Sequence, residues 1–231
     1  MMVLVGSKRS GRFQPSLGPL FKRAIDLTLA SAGIVILSPA FVLIAIGIKL
    51  DSPGPIVYFQ ERVGRNRRQR RGGLAIDRDR RNADAFGRPF MIYKFRTMIA
   101  DAERHTGPVW ASARDSRVTR VGGFLRRTRL DETAQLWNVL RGEMSLVGPR
   151  PERPAFVKSL AVSLPDYPKR SAALPGITGL AQVKSHYDTS LESVGRKLQY
   201  DLYYLKNGRL LLDLKILAAT VKVMARGDGA H

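Results

Sequence analysis

Apolar residues are arranged along the chain in three patterns. The first is a solid block, residues 27–48, LTLASAGIVILSPAFVLIAIGI, which carries no charge. It is long enough to cross a bilayer as a helix. Ser38 and Pro39 stand at its middle, and proline removes a helical hydrogen bond and kinks the axis. The second pattern is alternation. Residues 90–98, FMIYKFRTM, alternate apolar and polar and predict a strand. Residues 56–60 predict another, after the turn in DSPGP. The third pattern is helical spacing. Leu191, Val194, Leu198, Leu202 and Leu205 mark an amphipathic helix. Val118, Val121, Phe124 and Leu125 lie among arginines in 115–129, which predicts an anion-facing or interfacial helix broken at Gly122-Gly123. Shorter helices are predicted at 99–105 and 153–164, and from a first turn holding Asp131 and Glu132 through Leu140, where Arg141-Gly142 closes the last. Residues 174–183 hold a Pro-Gly turn and a short apolar piece. Residues 210–224 are interrupted by Asp213, Lys215 and Lys222, so core packing is favoured over a membrane surface.

Charge changes the picture at the ends of the apolar block. Lys8, Arg9, Arg12, Lys22 and Arg23 precede it, and a dense arginine region follows. Positive charge prefers the cytoplasmic side, so both flanks favour the same side. A helix bent at Ser38-Pro39 that enters the membrane and returns satisfies both. An ordinary spanning helix and a buried core helix are the competing readings. The 231 residues fit one domain or one domain with an appendage. We divide them into a basic tail (1–20), the membrane helix (21–50) and a cytoplasmic domain (51–231) holding an arginine-rich loop (65–88). That loop reads as solvated, or as a contact with anionic lipid worth about 1 kcal/mol per basic residue.

The formal net charge of +20 points to anionic partners: nucleic acid, anionic lipid or phosphorylated substrates. Cysteine is absent, which excludes disulfides and thiolate metal sites. His105, His186 and His231 lack the spacing of a histidine zinc site. No nucleic-acid motif is present, and aromatics are not interleaved with the basic run as a stacking platform requires.

Candidate chemistry gathers in residues 126–154, RRTRLDETAQLWNVLRGEMSLVGPRPERP. Arg126, Arg127 and Arg129 run into Asp131 and Glu132 at the start of a short helix, and Pro149-Arg150-Pro151 fixes one arginine on a stiffened backbone. Asp131 and Glu132 can simply cap that helix. Neighbouring positive charge should also keep a carboxylate ionised, and an ionised, positioned Asp can be a nucleophile. Arginines grip phosphate bidentately, and Mg2+ commonly uses one or two carboxylates together with substrate phosphates. Lys94 and Arg96, two apart on a strand, share one face, which is either a solvent face or a phosphate-binding pair.

These motifs together resemble the bacterial monotopic phosphoglycosyl transferases. The resemblance runs from about Leu20 to Gly229. It rests on Lys22-Arg23 before the Ser38-Pro39 segment, Gln60-Glu61-Arg62-Val63-Gly64, Lys94-Phe95-Arg96-Thr97-Met98, Leu130-Asp131-Glu132, Val147-Gly148-Pro149-Arg150-Pro151, Pro175-Gly176-Ile177-Thr178-Gly179 and Ala181-Gln182-Val183. The arginine-rich insertion is longer than the family's minimum, and no long multi-span region precedes the apolar block, so the chain looks like the compact catalytic form.

The resemblance implies a mainly helical α/β fold: a monotopic membrane protein with a re-entrant, kinked N-terminal helix and a compact domain on the cytoplasmic face of the bacterial inner membrane. It implies transfer of a sugar-1-phosphate from a UDP-sugar to polyprenyl (undecaprenyl) phosphate with release of UMP, the first membrane step of exopolysaccharide or glycoconjugate assembly. Asp131 would be the nucleophile, forming an aspartyl-phosphosugar intermediate. Asp131 and Glu132 would manage Mg2+. Lys94, Arg96, Arg126, Arg150 and Gln182 would bind substrate, and Ser38 and Pro39 would form the membrane bend. Nucleic acid is not expected as a partner, and a homo-oligomer is left open. A non-catalytic, membrane-anchored basic module binding anionic lipid or nucleic acid is the alternative, and a diphosphate hydrolase is a third reading.

Overall fold

The computed structural model describes residues 18–66, 86–102, 115–185 and 190–226. The described chain is mainly helical. A 34-residue helix, α1 (Gly18–Asp51), comes first. An antiparallel hairpin follows, β1 (Val57–Val63) with β2 (Pro89–Phe95). Next come α2 (Arg120–Thr128), a 3-10 helix (Leu130–Gln135) running into α3 (Leu136–Leu140), and β3 (Ser145–Val147). The remaining elements are α4 (Pro154–Ser163), a second 3-10 helix (Tyr167–Ala172), β4 (Gly176–Thr178), α5 (Leu180–Lys184), α6 (Leu191–Asn207) and α7 (Leu210–Arg226).

Helix α1 is the one described helix long and apolar enough to cross a membrane. It continues through Pro39. Pro39 has no N–H to give the carbonyl one turn back, that of Val35, and the Ser38 hydroxyl donates to that carbonyl instead, at 2.8 Å. Both ends of α1 dock on the rest of the protein. At the start, Lys22 donates to Asp213 (2.6 Å), Val147 O and Tyr204. Arg23 donates to the carbonyls of Val139 and Leu140, and Asp26 accepts the Leu146 N–H at 3.1 Å. At the far end, Ile44 and Ile48 join Phe95 and Leu125 in a buried cluster, and Asp51 accepts the Val121 N–H at 2.8 Å. Between these ends Val35, Ile36, Val42 and Leu43 are exposed.

The main core gathers Ala30 of α1, Ile92 of β2, Val139, Met144, Leu146, Val147, Leu180, Tyr204 and Ile216. The three-residue strands β3 and β4 pair in parallel inside it, Ser145 opposite Gly176 and Val147 opposite Thr178. Gly148, Gly176 and Gly179 let these backbones touch. A Cβ on Gly176 would lie 2.1 Å from the Gly148 nitrogen.

Several sequence expectations are corrected. Helix α2 is not broken at Gly122-Gly123. It starts later than expected, after the Thr119 cap, and runs through both glycines. Gly122 serves close packing instead: a Cβ there would sit 2.0 Å from the Thr97 carbonyl oxygen. The strand β2 ends at Phe95, so the alternation that paired Lys94 with Arg96 stops before Arg96. Helix α7 does pack on the core through Ile216 and Asp213, while Leu211 and Val221 stay exposed. The short helix expected at 99–105 is a turn as far as Ala102. The rest of it, the basic tail up to residue 17, most of the arginine-rich loop and all three histidines lie outside the described residues, while residues 18–20 already belong to α1.

Candidate active site

The 3-10 helix bearing Asp131 and Glu132 is entered through Arg129, whose φ of 60° is left-handed. That conformation is uncommon outside glycine. It turns the chain sharply between α2 and the 3-10 helix, so both acids lie against β2, and both are buried. From β2, Lys94 donates to Glu132 Oε1 at 2.7 Å. From the loop after β3, Arg150 reaches the same oxygen at 2.6 Å and Oε2 at 3.3 Å. The expected phosphate-gripping fork thus already holds a carboxylate.

The adjacent acids occupy different electrostatic positions. Burial pushes Glu132 up, but Arg150 and Lys94 outweigh it and hold the carboxyl well below its usual range. Burial also pushes Asp131 up. Lys94, Arg150 and Arg126 pull it back, Glu132 adds to the rise, and the net shift is upward. No described residue donates a hydrogen bond to the Asp131 carboxylate. The cations do favour the ionised form of Asp131, as the sequence suggests, but burial outweighs them in setting the direction of its shift. Glu132 takes the close cations, and desolvation governs its neighbour. Burial lowers Lys94 as well, partly offset by Glu132.

Arg126, in the last turn of α2, donates through Nε to Thr97 Oγ1 at 2.9 Å, and its Nη groups have no hydrogen bond among the described residues. Its charge acts on Asp131. Four of the expected site residues, Lys94, Arg126, Arg150 and Glu132, are thus brought around Asp131. Arg96 is not. It is 5% exposed, and its guanidinium donates to the carbonyls of Ile48, Ser52 and Pro53 and to the Ser52 hydroxyl, fixing the turn after α1. Gln182 is turned to its own segment, donating to Ile177 O at 3.1 Å.

Sequence reasoning missed how Arg150 is presented. Gly176 N–H donates to Pro149 O, Val63 N–H donates to Glu152 O, and Arg62 Nη1 donates to Pro151 O at 3.1 Å. The signal was the Gln60–Gly64 motif, whose arginine holds the Pro-Arg-Pro loop from β1.

Among the described residues no group of three acids or histidines forms a metal cage. A divalent ion held by one carboxylate and substrate phosphates needs none. Asp131, with no hydrogen-bond donor among the described residues, fits that role. Glu132, expected to share the metal, has Oε1 held between two cations.

Comparison with known proteins adds the lineage. Residues 17–227 match the family of bacterial sugar transferases. A UDP-N-acetylgalactosamine-undecaprenyl-phosphate N-acetylgalactosaminephosphotransferase of Aeromonas hydrophila is 39% identical over 210 residues, 91% of this chain and 45% of that protein. A UDP-glucose:undecaprenyl-phosphate glucose-1-phosphate transferase of Caulobacter vibrioides is 39% identical over 216 residues, 92% of this chain and 72% of the relative. A protein of Bacillus subtilis named as a presumptive undecaprenyl-phosphate N-acetylgalactosaminyl 1-phosphate transferase is 43% identical over 149 residues, 64% of this chain and 72% of its own length. The chain therefore spans less than half of the first relative. A family match that spans every described residue, with relatives 39% identical over more than nine-tenths of the chain, means that the chain belongs to the bacterial sugar transferase family.

Proposed function

We propose that the protein transfers a sugar-1-phosphate from a UDP-sugar to a polyprenyl phosphate at the cytoplasmic face of the bacterial inner membrane. The single observation that carries the mechanism is the division of labour in the acid pair. Glu132 is held by Lys94 and Arg150, while the Asp131 carboxylate accepts no hydrogen bond from any described residue and is left to attack. In the first step an Asp131 oxygen attacks the sugar-linked phosphorus. The bond from that phosphorus to the bridging oxygen breaks, its electron pair leaves with UMP, and an aspartyl-phosphosugar remains. In the second step an oxygen of polyprenyl phosphate attacks the same phosphorus. The Asp131–phosphorus bond breaks, the carboxylate is regenerated, and polyprenyl-diphosphate-sugar leaves.

Lys94, Arg150 and Arg126 line the path of the diphosphate. The Arg126 Nη donors have no hydrogen bond among the described residues, and Arg150 is partly solvent-exposed. With Asp131 ionised, the two acids balance Lys94 and Arg150, so the diphosphate's charge needs a further counterion. Mg2+, held by Asp131 and substrate phosphates, would supply that charge and polarise the phosphoryl oxygens. Glu132 holds the two cations in place.

Helix α1 supports monotopic attachment. Its two ends dock on one body, and the exposed Val35, Ile36, Val42 and Leu43 lie between the docking contacts, as in a helix that dips into one leaflet and returns. The buried acid pair also favours catalysis over a merely basic binding module, which would have no use for it. A diphosphate hydrolase would use the same groups, and a requirement for polyprenyl phosphate separates the two.

The test is to incubate the protein with UDP-sugar and magnesium but no acceptor, using donors of N-acetylgalactosamine, glucose and galactose. Intact-protein mass spectrometry should show one added phosphosugar, mapped to Asp131, with stoichiometric UMP. An adduct elsewhere, or full turnover in Asp131→Asn, overturns the mechanism.

A further inference from the structure

Asn138 is fully buried in α3. A mid-helix asparagine that reaches zero exposure must satisfy its carboxamide inside the protein. Its Oδ1 accepts the Tyr93 N–H at 3.0 Å, and its Nδ2 donates to the Met91 carbonyl at 2.7 Å. These bonds flank Ile92 as one residue of a parallel neighbouring strand would. The other Nδ2 proton goes to Glu143 Oε2 at 2.8 Å. Glu143 is tied in turn to Arg141, and Arg141 to the Tyr93 hydroxyl. One side chain therefore closes the edge of β2 that β1 leaves open.

The residue after Tyr93 is Lys94, and α3 continues directly from the 3-10 helix that carries Asp131 and Glu132. The contact between Lys94 Nζ and Glu132 joins the same two segments. From this juxtaposition we infer that Asn138 is a positioning residue for the reaction: it registers β2 against the acid-bearing helix and so sets where the Lys94 charge stands relative to Asp131 and Glu132. This rests on the function proposed above. Asn138 touches no reacting atom and acts through Lys94.

The test is a double-mutant cycle on the whole 231-residue chain purified from membranes. Asn138→Asp keeps the acceptor for the Tyr93 N–H and loses both donors. It should lower turnover tenfold or more. In a Lys94→Met background the same change should cost less than threefold. Asn138→Asp with Glu143→Gln removes the clash of two carboxylates and should recover part of the rate. Equal losses from Asn138→Asp in both backgrounds, or no recovery in the double variant, would make Asn138 a core amide only. Melting temperature is read alongside, since a purely structural role moves it without touching the cycle. Wild-type turnover without an adduct on Asp131 would overturn the covalent step alone, and the cycle is still read from turnover.

Discussion

Replacing Glu132 by glutamine keeps the shape of the side chain and removes one charge. It leaves Lys94 and Arg150 facing each other without their shared counterion. Removing one partner of a fully buried ion pair costs about 3–5 kcal/mol. Here the side chains of Glu132, Lys94 and Arg150 are 10%, 18% and 35% exposed, so solvent screens the Arg150 arm and the figure drops to about 2–4 kcal/mol. For a chain of this size that lowers the melting temperature on the order of 10 °C. The pH dependence has a definite sign. The Glu132 carboxyl is held below its usual range, so its stabilisation is complete above the unfolded value of about 4.3 and is lost as pH falls through the folded value. The gap between wild type and Glu132→Gln should thus be full at neutral pH and narrow below about pH 4. Catalysis should respond in the opposite sense. Asp131 loses the repulsion of Glu132 and gains the freed cations, so the acid limb of adduct formation should move to lower pH even as the rate falls. Thermal unfolding in detergent across pH, with mass-spectrometric adduct kinetics, checks both. An unchanged melting temperature at pH 7 would show that Lys94 and Arg150 do not depend on Glu132.

Asp131→Asn should abolish turnover and the adduct, yet leave the melting temperature at neutral pH equal or higher. A carboxyl whose pKa is raised on folding opposes folding once ionised, and a fall in melting temperature would contradict this. Wild-type adduct formation should begin to fail on acidification at a pH above that of an ordinary aspartate, and a limb at or below the ordinary value would show that Asp131 is not desolvated. Arg150→Lys keeps the charge but cannot span both Glu132 oxygens. With a charge-assisted bond worth about 1.5–3 kcal/mol lost, turnover should drop tenfold or more, and wild-type rates would make Arg150 peripheral. Cysteines placed at positions 11 and 73 should both resist an impermeant reagent in intact cells, and labelling of the first would indicate a spanning helix.

What the sequence disclosed was what local pattern can encode. The alternation around Tyr93 marked β2, the leucine spacing marked α6, and the Asp131-Glu132 pair with its arginines marked the site. What it concealed depended on partners distant along the chain. Arg96 shares the Lys94 pattern, but the strand stops at Phe95, and the carbonyls that bind Arg96 belong to the end of α1 and the turn after it. Gly122 looks like a helix breaker until the Thr97 carbonyl is placed against it. Strands as short as β3 and β4 leave no periodicity to read. Asn138 gives no hint that its amide mimics a strand. Charge counting around Asp131 registered the cations without revealing that Glu132 claims them.

The docking of α1 bears on how the enzyme can be handled. A fragment starting beyond Asp51 would lose more than a lipid anchor. Asp213 would lose Lys22 and keep Tyr204, the Leu146 and Val121 amides would lose their carboxylate partners, and the pockets filled by Ala30, Ile44 and Ile48 would empty. Water would enter where the main core and the Phe95 cluster now exclude it. Trimming the hydrophobic segment to gain a soluble enzyme removes part of the fold itself, so purification has to carry the helix along in detergent, nanodisc or a fused amphipathic shield.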